Sequence, residues 1–90
     1  MEVKYELQYL KKVISEDIPK IPNNIKGTIK KAIEERLGSD PISFGRPLKY
    51  SWKGHRRLRV GDYRIVYKID QPRKIVVIIA IKHRREVYQN

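Results

Sequence analysis

Cysteine is absent from this chain of 90 residues. Neither a disulfide nor a thiolate metal site can therefore supplement its core. Tryptophan, phenylalanine and methionine occur once each, so the interior must be built from aliphatic side chains and tyrosine. The longest apolar run, Ile75–Ile81, is far too short to cross a bilayer. The first residues, MEVKYELQYLKK, carry acids and lack an apolar signal core, so no export signal and a cytoplasmic home are expected. Repeats, low-complexity tracts and glycine-rich phosphate loops are missing. No His/Asp/Glu spacing suits a metal ion, so neither metal nor cofactor nor membrane partner is expected.

What remains is a small, very basic chain. A hydrophobic fraction of 40% suffices for one modest core, and residues 1–90 read as a single domain. The formal charge is +11, unevenly spread. Residues 1–45 hold 8 Lys/Arg against 7 Asp/Glu, whereas residues 46–90 hold 13 against 3 and all but one of the arginines. A surface rich in arginine, whose planar fork grips phosphate, points to nucleic acid as a partner. The plainer alternative is a solvated basic surface.

The organising stretch is HRRLRVGDYRIVYKI, His55–Ile69. Two alternating runs meet at Gly61-Asp62, a pair suited to a two-residue hairpin turn. A tight turn sets Val60 opposite Tyr63, Arg59 opposite Arg64 and Leu58 opposite Ile65. Leu58, Val60, Tyr63, Ile65, Tyr67 and Ile69 then share an apolar face, and His55, Arg57, Arg59, Arg64, Val66 and Lys68 share the other. Like charges directly opposite destabilise a sheet, so the juxtaposed arginines suggest a held anion.

Around that hairpin, Glu2–Tyr5 is a short candidate strand. Leu7, Leu10, Val13 and Ile14 fall at helical spacing from about Glu6, and Pro19 stops that helix near Asp17. Asn23 or Asn24 suits an N-cap. Ile25, Ile29, Ala32, Ile33 and Leu37 form the stripe of a second helix ending at Gly38 in the C′ role. Gly27 inside it suggests close packing of the first helix. Leu48–Trp52 reads as a short strand or an extended approach, Gln71-Pro72-Arg73 as a turn, and Lys74–Ile81 as a central strand covered on both faces. Its bulkier residues, Ile75, Val77, Ile79 and Ile81, are assigned to the helix-packed core. Val76, Ile78 and Ala80 are assigned beneath the basic face, as a groove floor or a surface for another protein. The fold class is α+β: a short N-terminal strand, an antiparallel two-helix hairpin, then a mainly antiparallel sheet of three to four strands with helices on one face.

The order of elements, the hairpin LRVGDYRIVY (Leu58–Tyr67), the apolar strand after it and the ending HRREVY (His83–Tyr88) resemble the RelE/ParE superfamily of toxin–antitoxin toxins. The resemblance spans essentially the whole chain. It implies a RelE-like fold and, for the RelE branch, a metal-independent endoribonuclease that cuts mRNA, typically on the ribosome. For the ParE branch it implies a gyrase inhibitor without nuclease chemistry, and a third reading is an inactive relative serving as co-repressor. By position, Arg64 matches the arginine that contacts the scissile phosphate and Arg84 the second catalytic arginine. Tyr88 matches the C-terminal tyrosine that meets the substrate base, and Arg57 a basic residue proposed to protonate the leaving group. His55 departs from the pattern, since some members carry lysine there. The resemblance also implies a neutralising antitoxin, which the charge requires to present an acidic, amphipathic segment. The free toxin is expected to be a monomer, and the complex a heterodimer or heterotetramer.

Cleavage by internal transfer requires loss of the 2′-OH proton, stabilisation of a charged phosphorane and protonation of the 5′ oxygen. Arg57, Arg59, Arg64 and Arg84 can supply the second as preorganised charge. Arginine stays protonated at neutral pH, so His55 or His83 is the expected aid to proton transfer. Lys49, Lys53, Arg56, Lys68, Lys82 and Arg85 complete the expected RNA-binding set, together with Arg59 and His83. Tyr88 fits base stacking, while Trp52 fits either stacking or core closure.

Overall fold

A computed structural model describes residues 4–87. Among these, five strands, β1 (Glu6–Tyr9), β2 (Arg46–Pro47), β3 (Arg56–Val60), β4 (Tyr63–Asp70) and β5 (Ile75–His83), form one sheet in the order β1-β5-β4-β3-β2. Strand β1 runs parallel to its neighbour, β5; the other pairings are antiparallel. The helices are α1 (Asn23–Ala32), α2 (Pro41–Phe44) and α3 (Arg84–Val87). A π-helical turn, Val13–Asp17, precedes α1, and a second, Ile33–Leu37, extends it.

The central hairpin has the expected register: Val60 opposite Tyr63, Arg59 opposite Arg64, Leu58 opposite Ile65. Gly61 takes φ of 57°, the left-handed value that glycine tolerates best. Leu58, Ile65 and Tyr67 are buried, with Val60, Tyr63 and Ile69 packed against them. They join Val13, Ile21, Ile29, Ile33 and Leu37 in one core.

Strand β5 lies inside the sheet between β1 and β4, one place from its centre, and its faces are reversed over most of its length. Tyr67 lies opposite Ile78 while Val66 lies opposite Ala80, so a bulge at Ile79 changes the parity. Val76, Ile78 and Ile81 therefore enter the helix-packed core. Ile75, Val77 and Ile79 are half-buried outside it, and only Ile81 of the expected core set belongs there.

The first half departs further from its periodicity. Glu6–Tyr9 is a strand, later than the expected Glu2–Tyr5, because it pairs in register with Ile75–Ile78. Glu2 and Val3 lie outside the described residues. Helical structure covers 11–17, and the chain then tightens into a 3₁₀ turn, Ile18–Lys20, around Pro19. Pro22, not an asparagine, occupies the N-cap of α1, without a side-chain cap. Gly38 has φ of −71°, so it does not serve as a left-handed C′ residue. Its carbonyl instead accepts the Lys4 and Tyr5 N–H groups, both at 2.9 Å, tying the start of the chain to the helix end. A Cβ on Gly27 would meet nothing within 4 Å, so no helix packs against it. Residues 48–52 are no strand; Tyr50–Trp52 is a 3₁₀ turn, and the short edge strand is Arg46–Pro47.

Candidate nucleic-acid interface

The bulge leaves β3, β4 and the end of β5 presenting cations on the face opposite the helices. Arg59, Arg64 and Lys82 lie side by side across three strands, with strands about 4.8 Å apart. The next row is Arg46, Arg57, Val66 and Ala80 across four strands. Val66 and Ala80 are buried at 8% and 9% exposure and form the apolar floor of this face. Lys68, opposite Val77, continues the face as an exposed side chain.

Arg64 is the focus. It stands on the central hairpin at only 3% exposure. A guanidinium held there is largely desolvated, and its field acts through a medium less polar than water. Its backbone is fixed on both sides, by Arg59 of β3 and Lys82 of β5.

Lys82 reaches a partner that the sequence did not reveal. Asp17, 3% exposed, accepts the Lys82 Nζ at 2.8 Å through Oδ1 and the Ile81 N–H at 2.9 Å through Oδ2. Strand β1 stops pairing with β5 near Ile78, and the Asp17 carboxylate serves the open edge beyond it. That hydrogen bond holds the Lys82 ammonium above the ordinary lysine pKa. Part of the Lys82 charge is therefore spent inside the protein, which weakens its claim to RNA.

The other expected site residues divide by position. Arg84 begins α3 at the hairpin end, where its N–H donates to the Asp62 carbonyl at 2.7 Å. Its Nε lies 3.8 Å from Asp62 Oδ1, an exposed ion pair. Arg85 is exposed beside it, and its N–H donates to His83 Nδ1. His83 lies opposite Tyr63, on the helix-facing side, with the two rings edge to face at 5.3 Å. Alternation along β5 thus removes His83 from the basic face. Arg56 is likewise turned away: its Nη2 donates to the Ile42 and Gly45 carbonyls at 2.6 and 2.9 Å. It anchors the loop instead of facing RNA.

Tyr67 secures the same loop by donating to the Pro41 carbonyl at 2.6 Å, and burial pushes its hydroxyl pKa up. Any Cβ on Gly45 would overlap that hydroxyl. His55 precedes β3, its ring edge to face with Trp52 at 5.3 Å. Its Nδ1 is buried and has no hydrogen-bond partner among the described residues. Lys49 and Lys53 are exposed around the Tyr50–Trp52 turn. Tyr88 lies outside the described residues. Among those described, no three His, Asp or Glu side chains gather as metal ligands would, and no helix is long and apolar enough to cross a membrane.

Sequence reasoning missed Arg46, which the β2–β3 pairing sets opposite Arg57. Its signal was faint: one arginine in a Pro/Gly-rich loop, outside the hairpin motif.

Comparison with known proteins bears on the family and the fold. A family model described as the ParE toxin of the type II toxin–antitoxin system parDE matches residues 3–88. Toxin RelG of Mycobacterium tuberculosis is 32% identical over 73 residues, 81% of this chain and 84% of RelG. Toxin RelE of the same organism is 33% identical over 73 residues, 81% of this chain and 75% of that toxin. The crystal structure of the RelBE2 toxin–antitoxin complex from M. tuberculosis superposes with a TM-score of 0.84 at 28% identity. It covers 90% of this chain and 99% of that one. The family model and these relatives agree: the chain belongs to the ParE toxin family of type II toxin–antitoxin systems, as a RelE-like toxin.

Proposed function

We propose that this toxin is an endoribonuclease that cuts mRNA, on the ribosome, by attack of a 2′ oxygen on the adjacent phosphorus. The observation that carries this reading is the row Arg59–Arg64–Lys82, with Arg64 nearly buried at its centre. As the 2′-O–P bond forms, negative charge accumulates on the phosphorane oxygens. Fixed guanidinium groups stabilise it without reorganising. The P–O5′ bond then breaks, leaving a 2′,3′-cyclic phosphate and a 5′-hydroxyl that has gained a proton.

Arg64 binds the scissile phosphate in this scheme. Arg57, one row along the same face, stands beside the leaving oxygen. Arg84 approaches from the hairpin end, and Tyr88 meets the base. His83 takes no part in proton transfer because it faces the helices. His55 assists as base. The mechanism uses no metal.

The neutralising partner is an antitoxin with an acidic, amphipathic segment. Its apolar face fits a groove of about 590 Å³ between α1 and the Val13–Asp17 turn, lined by Ile14, Ile18, Ile21 and Ile29. Ile14 is 57% exposed there, and Lys26 and Lys30 offer charge to an acidic segment. The toxin is a monomer alone and a heterodimer or heterotetramer with its antitoxin, in the cytoplasm.

Primer extension on a translated message tests the nuclease: discrete cuts within codons are expected with the wild type, and the same cuts at least about 10²-fold more slowly with Arg64→Ala. The family model's ParE description favours one second reading, inhibition of DNA gyrase. Uncut message together with loss of gyrase supercoiling would select it.

A further inference from the structure

The open edge of the sheet carries a feature that the cleavage scheme uses only in part. Strand β2 lies beside only Arg56 and Arg57 of β3. Among the described residues, no strand flanks Leu58–Val60 on that side. A recess of about 410 Å³ opens there, lined by Arg36, Phe44, Arg46, Arg57, Leu58 and Arg59.

We propose that this recess is a second RNA subsite, gripping the nucleotide that flanks the scissile phosphate. Arg36 and Arg46 hold the flanking phosphate, and Phe44 stacks on the base. The inference rests on the nuclease reading above and extends it to residues outside the cation row.

Charge is the first argument. None of the four arginines has a side-chain hydrogen bond or ion pair to a described residue; the ion pairs among those residues involve Arg73, Lys82 and Arg84. Arg46 and Arg57 are directly opposed, an arrangement that destabilises a sheet unless an anion sits between them. The aromatic ring is the second. Phe44, the single phenylalanine, is 50% exposed. It is held out by a rigid loop: Asp40 caps α2 at Ser43 N, and Arg56 and Tyr67 fix the carbonyls of Ile42, Gly45 and Pro41. An exposed ring among guanidinium groups fits a nucleotide, with a π-face for the base and forks for the phosphate.

Continuity is the third argument. Arg57 and Arg59 line the recess and also stand beside Val66 and Arg64, so a strand laid over Arg64 runs directly into it. Cations on an edge strand also deter unwanted strand pairing. Lysine alone would serve that purpose, and it would not call for an exposed ring.

The test is fluorescence anisotropy of the full-length toxin with a single-stranded 2′-O-methyl oligonucleotide, which cannot be cleaved by 2′-oxygen attack. For Arg36→Gln/Arg46→Gln, the slope of log affinity against log salt should shrink by about 0.7 for each phosphate no longer neutralised. For Phe44→Ala, affinity should fall about tenfold with the slope unchanged, the mark of weakened stacking. Wild-type affinity and slope in both variants would overturn the subsite. If Arg64→Ala loses binding while those variants keep it, the nuclease reading stands and the subsite alone fails. If the wild type binds no free RNA, the subsite fails, and primer extension on a translated message decides the nuclease reading separately. Variants that bind RNA normally but no longer retain a co-expressed antitoxin would assign the recess to protein and overturn the proposal.

Discussion

The two faces of the β3–β4 hairpin are made from neighbouring residues and behave oppositely. On one, Leu58, Ile65 and Tyr67 are 3%, 0% and 0% exposed against the helices. On the other, Arg57, Arg59 and Arg64 gather over a floor of Val66 and Ala80. The period of two residues that separates them also divides composition: one face builds the apolar core, and the other gathers charge. The helix-facing side should therefore fail in stability when altered, and the open face in function.

The largest stability effect should come from the buried side. Ile78→Ala empties a fully buried position and should cost about 2–5 kcal/mol, read as a lower urea midpoint. On the open face, Arg64→Ala should lower the cleavage rate about 10²- to 10³-fold, the scale of removing one preorganised donor from an oxyanion site. Equal thermal midpoints for that variant and the wild type would sharpen the division between faces.

Asp17 belongs to both sides of the comparison, because it caps the Ile81 N–H and holds Lys82. Asp17→Ala leaves a buried donor unmet and should cost about 2 kcal/mol. The pH dependence follows from the raised Lys82 pKa. The protonated form is favoured by folding, so the contribution is complete below the ordinary lysine value of 10.5 and lost as pH rises through the higher folded value. Urea midpoints of the wild type should fall across that window, and those of Asp17→Ala should fall less.

The smallest effect is expected at Arg73, in an exposed turn 3.9 Å from Asp70. Arg73→Ala should change stability by less than about 0.5 kcal/mol and leave cleavage untouched. A marked loss of activity there would mean that charge in general, not the Arg64 face, drives the reaction.

Much of this contrast was legible in the sequence, because hairpins encode it locally. Gly61-Asp62 fixed the turn, and strict alternation then settled every partner from Leu58 to Ile65. The parity of β5 was illegible: an unbroken run of Ile, Val and Ala carries no mark of the bulge that turned Val76 and Ile78 inward. Leu7 and Leu10 fit a helix as well as an approach to a strand, and pairing with Ile75–Ile78 decided the matter from far along the chain. Asp17 looked like a helix-end acid. Its partners lie 64 and 65 residues away, beyond the reach of any local pattern. Among the site residues, Arg57, Arg59 and Arg64 were read onto the correct face. His83 and Arg56 were turned from it by alternation across strand ends that composition does not place.

The most direct test is single-turnover cleavage of ribosome-bound mRNA by Arg64→Ala and by the wild type, with matched folding verified by circular dichroism. The nuclease assignment predicts cuts at the same positions for both, at least about 10²-fold slower in the variant. A folded Arg64→Ala toxin that cuts at close to the wild-type rate would contradict it.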